Sequence, residues 1–412
     1  MGHKRFQSTA RTLAATVPAV SFEENNARVL EIFSQHKELV SLPVVEDGRP
    51  IGLISRHIFM SQMSKPFQRE LYERKSCIAF MDKEPLVVEG DTPIAALGAM
   101  AVAAGDKTLA DGFVIVEQGR LSGMGWGLEL MRELVALQVE KNRQLMQSID
   151  YASVIQRAML GTSHAAMSQA LADTCLVWEP RDVVGGDFYH FEHHRHGWFA
   201  AVADCTGHGV PGAFLTLIAS SSLKHALELH GPHDPAQVMN EVNRSMKQVL
   251  GQHHASAERS GSDDGMDACF FWFDARRREL TCANARMTLF LLAPGEEAVQ
   301  AIDGQRTGLG YVATPDDMRW HNQCVPVLPG SLLLVSTDGI IDQIGGPKAI
   351  AFGKQRLRRA LLQHRHLPMP ELGRQVMADH RQYQGTQERR DDVTLFAARL
   401  HDTTGHRGNT QP

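Results

Sequence analysis

A chain of 412 residues is long enough for two or three domains, each with its own core, and its net charge of −5 removes the electrostatic case for a nucleic-acid partner. No apolar run approaches the roughly 20 residues of a membrane span, and the opening MGHKRFQSTA lacks the apolar core of a signal peptide, so no membrane is expected and the expected location is cytoplasmic. The six cysteines, Cys77, Cys175, Cys205, Cys269, Cys282 and Cys324, include no C-x-x-C pair and fit buried, reduced thiols rather than a disulfide framework.

Residues 1–127 contain an internal repeat. Val44-Val45-Glu46-Asp47-Gly48-Arg49-Pro50-Ile51-Gly52 slides onto Ile115-Val116-Glu117-Gln118-Gly119-Arg120-Leu121-Ser122-Gly123, and each copy reads as a hairpin: a β-branched run, a Gly turn and a second short strand. Ahead of each lies a short strand and a helix, Pro18 to Val20 then Glu24 to His36, and Pro85 to Val87 then Pro93 to Ala104. Strand, helix, hairpin, helix, given twice, resembles a tandem pair of CBS modules. The resemblance implies one disc-like regulatory unit that binds adenine nucleotides or related ligands. Nucleotide-binding members carry Ser or Thr followed by Asp at the end of the hairpin, whereas these stretches are Ser55-Arg56-His57-Ile58 and Gly125-Trp126-Gly127-Leu128. Ligand sensing and ligand-free dimerisation therefore both stay open. Phe59 to Met81, with Phe67, Leu71 and Tyr72, reads as a connector helix between the modules.

From Leu128 to Leu160 there is neither proline nor glycine, and Leu130, Leu134, Leu137, Leu145, Ile149, Ala152, Ile155 and Met159 fall mostly at steps of three or four. The spacing predicts one amphipathic linker helix over 128–160 whose stripe needs a partner. It either folds back on its own chain or, as the pattern favours, pairs with a second copy as a coiled coil.

Short apolar runs follow at Cys175 to Trp178, Trp198 to Asp204, Ala268 to Phe273, Leu280 to Ala283, Leu289 to Ala293, Ser331 to Ser336 and Val393 to Leu400. Helical stretches stand between them at Pro211 to Leu229, Pro235 to Leu250, Lys348 to His364 and Glu371 to Tyr383. The pattern predicts an α+β domain. Within it, Asp204-Cys205-Thr206-Gly207-His208-Gly209 carries an apolar strand into a Gly turn and a helix. It is accompanied by Val183-Val184-Gly185-Gly186-Asp187, Ser336-Thr337-Asp338-Gly339 and Arg390-Asp391-Asp392-Val393. Each sets a carboxylate at a strand edge or Gly turn with no His or Cys at zinc spacing, and oxygen ligands of this kind select magnesium, manganese or calcium.

These four motifs, in this order, resemble the PPM-type metal-dependent protein Ser/Thr phosphatases of the SpoIIE-like branch. The resemblance implies a β-sandwich flanked by helices on both faces and hydrolysis of a phosphoserine or phosphothreonine by water activated between two divalent ions, Mn2+ or Mg2+. Carried over, Asp204 bridges the ions with the Cys205 carbonyl as a further ligand, Asp338 and Asp391 bind one ion, Asp187 holds the other, and Asp392 stands in the outer shell. It further implies a phosphoprotein substrate, an anti-sigma-factor antagonist of STAS type. The expected division is a CBS pair at 1–127, the linker at 128–160, the phosphatase at 161–401 and a tail at 402–412, in a homodimer joined through linker and CBS pair. The rival reading is a catalytically silent scaffold or ligand sensor.

His208 is expected to satisfy the turn rather than act as an acid, and Arg181 either reaches a phosphate oxygen or makes a surface ion pair. His190, His193, His194 and His196 crowd an expected hairpin tip, an exposed turn rather than a metal site. Gly261 to Gly265 reads as a loop, with Asp267 either an extra acidic contact or, as favoured, a turn residue. Asp338 to Gly353 reads as a mobile flap over the substrate groove.

Overall fold

The computed structural model describes residues 8–252 and 263–401, and the chain forms two compact units, Met1–Leu145 and Met146–Pro412. The expected tail at 402–412, and Gly261 and Ser262 of the expected loop, lie outside the described residues.

In the first unit the repeat is visible as β1 (Val20–Ser21), α1 (Asn26–Gln35), β2 (Ser41–Glu46), β3 (Arg49–Ser55) and α2 (Arg56–Met63). A short α3 (Gln68–Tyr72) leads to the second copy: β4 (Val87–Glu89), α4 (Ile94–Ala103), α5 (Asp106–Asp111), β5 (Phe113–Glu117) and β6 (Arg120–Gly125). In each copy the first strand pairs parallel to the hairpin, and the hairpin register slips at matching places, Val44/Val45 and Ile115/Val116. Both turns hold two residues at positive φ, Asp47 and Gly48 in one, Gln118 and Gly119 in the other, as a tight two-residue hairpin requires. Each copy has its own core, Phe33, Leu42, Ile54 and Phe59 in the first, Leu97, Phe113 and Ile115 in the second. Leu53, Val114, Val116 and Met124 pack between the two sheets.

The expected connector helix over 59–81 is instead broken into α2, α3 and a 3-10 turn at Cys77–Phe80. Phe67 stands at φ 63 between the pieces, a left-handed residue that no helix passes through.

The linker helix α6 runs Gly127–Ala170, ten residues beyond its expected end and through Gly161. A glycine costs a helix interior about 1 kcal/mol. Burial of Leu160 and Met167 against the sandwich outweighs it, at roughly 1.5–3 kcal/mol for each large apolar side chain.

The second unit is a β-sandwich. Its strands are β7 (Thr174–Glu179), β8 (Asp187–His194), β9 (Gly197–Cys205), β10 (Met266–Asp274), β11 (Glu279–Ala285), β12 (Thr288–Leu292), β13 (Gln300–Asp303), β14 (Gln323–Pro326), β15 (Ser331–Ser336) and β18 (Val393–Leu400). A minor hairpin, β16 (Ile344–Gly345) and β17 (Ile350–Ala351), lies apart. One sheet has the order β14-β11-β10-β9-β8 and the other β13-β12-β15-β18-β7. Phe191, Trp198, Phe271, Phe273 and Phe396 fill the space between them. Residues of opposite parity on β9 and β10, among them Phe199, Ala201, Ala203 and Phe270, pack under α7 (Gly209–His230) and α8 (Pro235–Leu250). Leu332, Leu334, Leu395 and Ala397 pack under α10 (Gly353–His364) and α11 (Met369–Gln384). The sandwich is thus flanked by helices on both faces, as the motif resemblance implied. Among the described residues no helix is long and apolar enough to cross a membrane.

Candidate metal centre

Strand register builds the centre. Asp187 on β8 and Asp267 on β10 each stand opposite Asp204 on β9. Directly opposed residues project from the same face, so the three carboxylates form a row across adjacent strands. Parity places this row on the inward face, continuing the line of Val202 and Cys269 past the end of the packed core. The facing sheet supplies Thr337, Asp338 and Thr394 at the same end.

Asp187 is 1% exposed. Its Oδ2 accepts hydrogen bonds from Thr337 Oγ1 at 2.7 Å and Thr394 Oγ1 at 2.8 Å, across the sandwich, while its buried Oδ1 has no hydrogen-bond partner. Burial, with Asp392 and Asp338 nearby, raises its pKa well above the ordinary carboxylate value despite the two hydroxyls. Burial also lifts Asp204 strongly, reinforced by Asp187, Asp338 and Asp391, and it pushes Asp338 up to about 6. The Asp204 and Asp338 carboxyls act on each other's ionisation, so the two titrate as a pair. Asp338 opens the short helix α9 (Asp338–Ile341).

Asp392 has a bracing role. Its Oδ1 accepts from the Arg181 backbone N–H at 2.5 Å and its Oδ2 from the Gly186 N–H at 2.6 Å, tying the loop that leads into β8. Gly186 is required there, since a Cβ would stand 2.4 Å from the Gly207 carbonyl oxygen and 2.7 Å from that of Cys205. Asp391 lies beside these groups and accepts the Asp392 N–H at 2.9 Å.

Among the described residues, no three His, Cys, Asp or Glu side chains already stand as a closed set of metal ligands. What fits divalent cations is the chemistry of the donors: an orphaned buried carboxylate oxygen on Asp187, acids pressed together so that they hold protons, and the Cys205 carbonyl beside them.

Several expectations are corrected. Asp267 is a strand residue in register with Asp204, not a turn residue; its Oδ1 lies 3.4 Å from both Arg286 Nη1 and Tyr311 Oη. His190, His193 and His194 lie along β8 and only His196 stands in the turn; His190 is buried, 2.9 Å from Glu192. The Arg181 guanidinium donates to the Arg390 carbonyl at 3.1 Å rather than to a carboxylate. The expected flap is pinned to α11, where Gly346 N–H donates to the Tyr383 carbonyl at 2.8 Å and Tyr383 Oη donates to that of Ile350 at 3.0 Å. His208 pairs with Asp182 at 2.8 Å as the cap residue of α7, in keeping with a turn role.

Two further features escaped the sequence reading. Gln156 on α6 is 2% exposed; it donates to the Gly185 carbonyl at 2.7 Å and to Thr216 Oγ1 of α7 at 3.1 Å, and accepts the Gly185 N–H at 3.2 Å. The loop between β13 and β14 is held down by α8. Buried Lys247 donates to the carbonyls of Tyr311, at 3.2 Å, and Thr314, and Asn243 accepts the Gly310 N–H at 2.9 Å.

A helix-flanked β-sandwich with aspartates gathered at one end of its inner faces defines a PP2C-type serine/threonine phosphatase domain. A profile described as Stage II sporulation protein E (SpoIIE) matches residues 194–401, and a CBS domain profile matches residues 14–65. The chain belongs to the SpoIIE family, with a CBS region ahead of the phosphatase domain. It is similar to the SiaA-PP2C domain of Pseudomonas aeruginosa, at 37% identity and a TM-score of 0.57, covering 63% of this chain and 98% of that one. It is also 30% identical over 109 residues to Phosphoserine phosphatase RsbU of Bacillus subtilis (strain 168), a match that takes in 26% of this chain and only 30% of the relative's length.

Proposed function

We propose that the protein removes the phosphoryl group from a phosphoserine or phosphothreonine of a regulatory protein, with two divalent cations, Mn2+ or Mg2+, held by Asp187, Asp204, Asp338, Asp391 and the Cys205 carbonyl. The observation that carries this reading is Asp187, buried to 1% exposure with one oxygen fixed by two threonine hydroxyls and the other without a partner. Cations bound there supply neutralisation of the phosphoryl oxygens and a lowered pKa for the attacking water. The chain's own part is to aim the donors. Thr337 and Thr394 fix Asp187, Asp392 braces the loop before it, and the strand register sets Asp204 between Asp187 and Asp267.

The resemblance points to a STAS-type anti-sigma-factor antagonist as the phosphoprotein, in a partner-switching circuit in the cytoplasm, and the name of the RsbU relative supports a serine ester. Residues 1–127 act as the regulatory part, 128–160 as linker and 161–401 as phosphatase. Control runs through α6, whose Gln156 bonds to both Gly185 and α7, so that α6 and α7 shift together and complete the centre in one arrangement of a homodimer. Leu130, Leu134 and Leu137 of the expected seam pack instead on the core of the second CBS copy, and the dimer rests on the exposed Met131, Val135, Val139 and Leu145 of α6; sedimentation of the full chain as a monomer counts against it.

The test is hydrolysis of p-nitrophenyl phosphate and a phosphothreonine peptide by the full chain with manganese, magnesium or EDTA, beside Asp204→Ala. The expected outcome is turnover that requires metal and is lost in the variant. Metal-independent turnover removes the reading, and no turnover together with no metal binding removes it and leaves a silent scaffold.

A further inference from the structure

The row of carboxylates ends in a cation. Beyond Asp187, Asp204 and Asp267 lies Arg286, just past the end of β11 and bridged through its backbone to Ala268. Its guanidinium Nη1 is 3.4 Å from Asp267 Oδ1, its Nε is 3.3 Å from the Arg306 carbonyl, and its carbon lies 4.8 Å from the centre of the Tyr311 ring. These are long hydrogen bonds for a charged donor, and a guanidinium carries five N–H groups. The side chain is 44% exposed, so donors remain for a ligand.

Its supports are rigid. Asp267 is set by the β9–β10 register, and Tyr311 sits on the loop that Lys247 and Asn243 fasten to α8. Asp267 stands opposite Asp204 in the strand register and hydrogen-bonds with Tyr311 at 3.4 Å, which places this cluster against the metal centre. Arg389 nearby grips the carboxylate and carbonyl of Glu179, whereas Arg181 gives one bond to the Arg390 carbonyl. A phosphate monoester carries two negative charges and meets a centre rich in aspartates. A planar fork beside that centre is the group suited to take two phosphoryl oxygens at once.

We infer that Arg286 is the phosphoryl-binding residue of this site, held in position by Asp267 and Tyr311. The inference rests on the phosphatase reading for its ligand, and its test is made separable from turnover. Inorganic phosphate is titrated calorimetrically into the full chain at saturating magnesium, and is also used as a competitive inhibitor of p-nitrophenyl phosphate hydrolysis. Arg286→Gln is expected to weaken phosphate binding and raise both Ki and KM by about 10-fold or more, with a smaller change in kcat. Arg286→Lys recovers part of the loss, and Asp267→Asn weakens phosphate binding without changing the magnesium concentration for half-maximal binding. Because Arg286 holds φ 58, Arg286→Gly suits the backbone better. That variant is expected to melt no lower than the parent while losing phosphate, which separates recognition from folding.

An active parent whose Arg286→Gln and Arg286→Gly variants keep Ki, KM and phosphate affinity within twofold overturns the inference, as does a parent that binds magnesium but no phosphate. An inactive parent that binds phosphate through Arg286 removes the phosphatase reading and leaves the phosphoryl site standing.

Discussion

On the proposed reading, Thr337 and Thr394 do for Asp187 what outer-shell groups do for metal ligands generally, fixing one oxygen so that the other is aimed. Replacing Thr337 with Val keeps the shape and removes the hydroxyl. The expected result is a rise of about 10-fold or more in the manganese concentration needed for half-maximal hydrolysis, with Thr337→Ser close to the parent; an unchanged manganese requirement would separate the threonine from the centre. Thr337 was legible only as a neighbour of Asp338, because a threonine at the end of an apolar strand carries no sign of what it will face across a sandwich. Asp187, Asp204, Asp338 and Asp391 could be picked out because each stands beside a Gly turn or at the edge of a strand. Asp267 was seen only as an extra acidic contact or, as favoured, a turn residue, since Gly265-Met266-Asp267 looks like a loop ending, and only pairing with β9 makes it part of the row. Arg286 was hidden for a related reason: a left-handed backbone with a long cationic side chain costs roughly 1–3 kcal/mol and has no local sequence signature.

Elements were most readable where one face is apolar and long. The strands β9, β10, β15 and β18 and the helices α7, α8 and α11 stand close to where periodicity puts them. The strand β8 was not among the runs read from the sequence, because residues 190–196 read as a polar turn, yet Phe188 and Phe191 anchor it on opposite faces. Helix α10 begins at Gly353 rather than Lys348, because Ile344–Ala351 forms a small hairpin against Tyr383. For α6 the apolar stripe gave the helix, but nothing in the stripe marks Gln156. Gln156→Ala leaves the Gly185 peptide without its buried partners, and a lost buried hydrogen bond of this kind costs about 1–3 kcal/mol. Thermal unfolding should fall by roughly 2–4 °C for each kcal/mol lost. An unchanged melting temperature together with unchanged metal affinity would mean that α6 is not coupled to the centre at this point.

At the scale of the whole molecule the centre sets a pH dependence. Asp187, Asp204, Asp338 and Asp392 hold protons more tightly in the folded chain than the ordinary value of 3.8, chiefly through burial. Between the unfolded and folded values the folded state carries more protons, so stability is greatest below that window and declines as pH rises through it. For Asp338 the window runs from 3.8 to about 6. In EDTA the full chain is therefore expected to melt at a higher temperature near pH 5 than near pH 7.5, and added manganese should restore the loss at the higher pH. A metal-free chain that is more stable at the higher pH would contradict this account of the aspartates.

The crowding of acids around Asp204 has a consequence for how the protein meets its surroundings. On the proposed reading, cations and protons compete for the same carboxylate oxygens. On that same reading, acidification and scarcity of divalent metal act in the same direction: each leaves the centre without its cations.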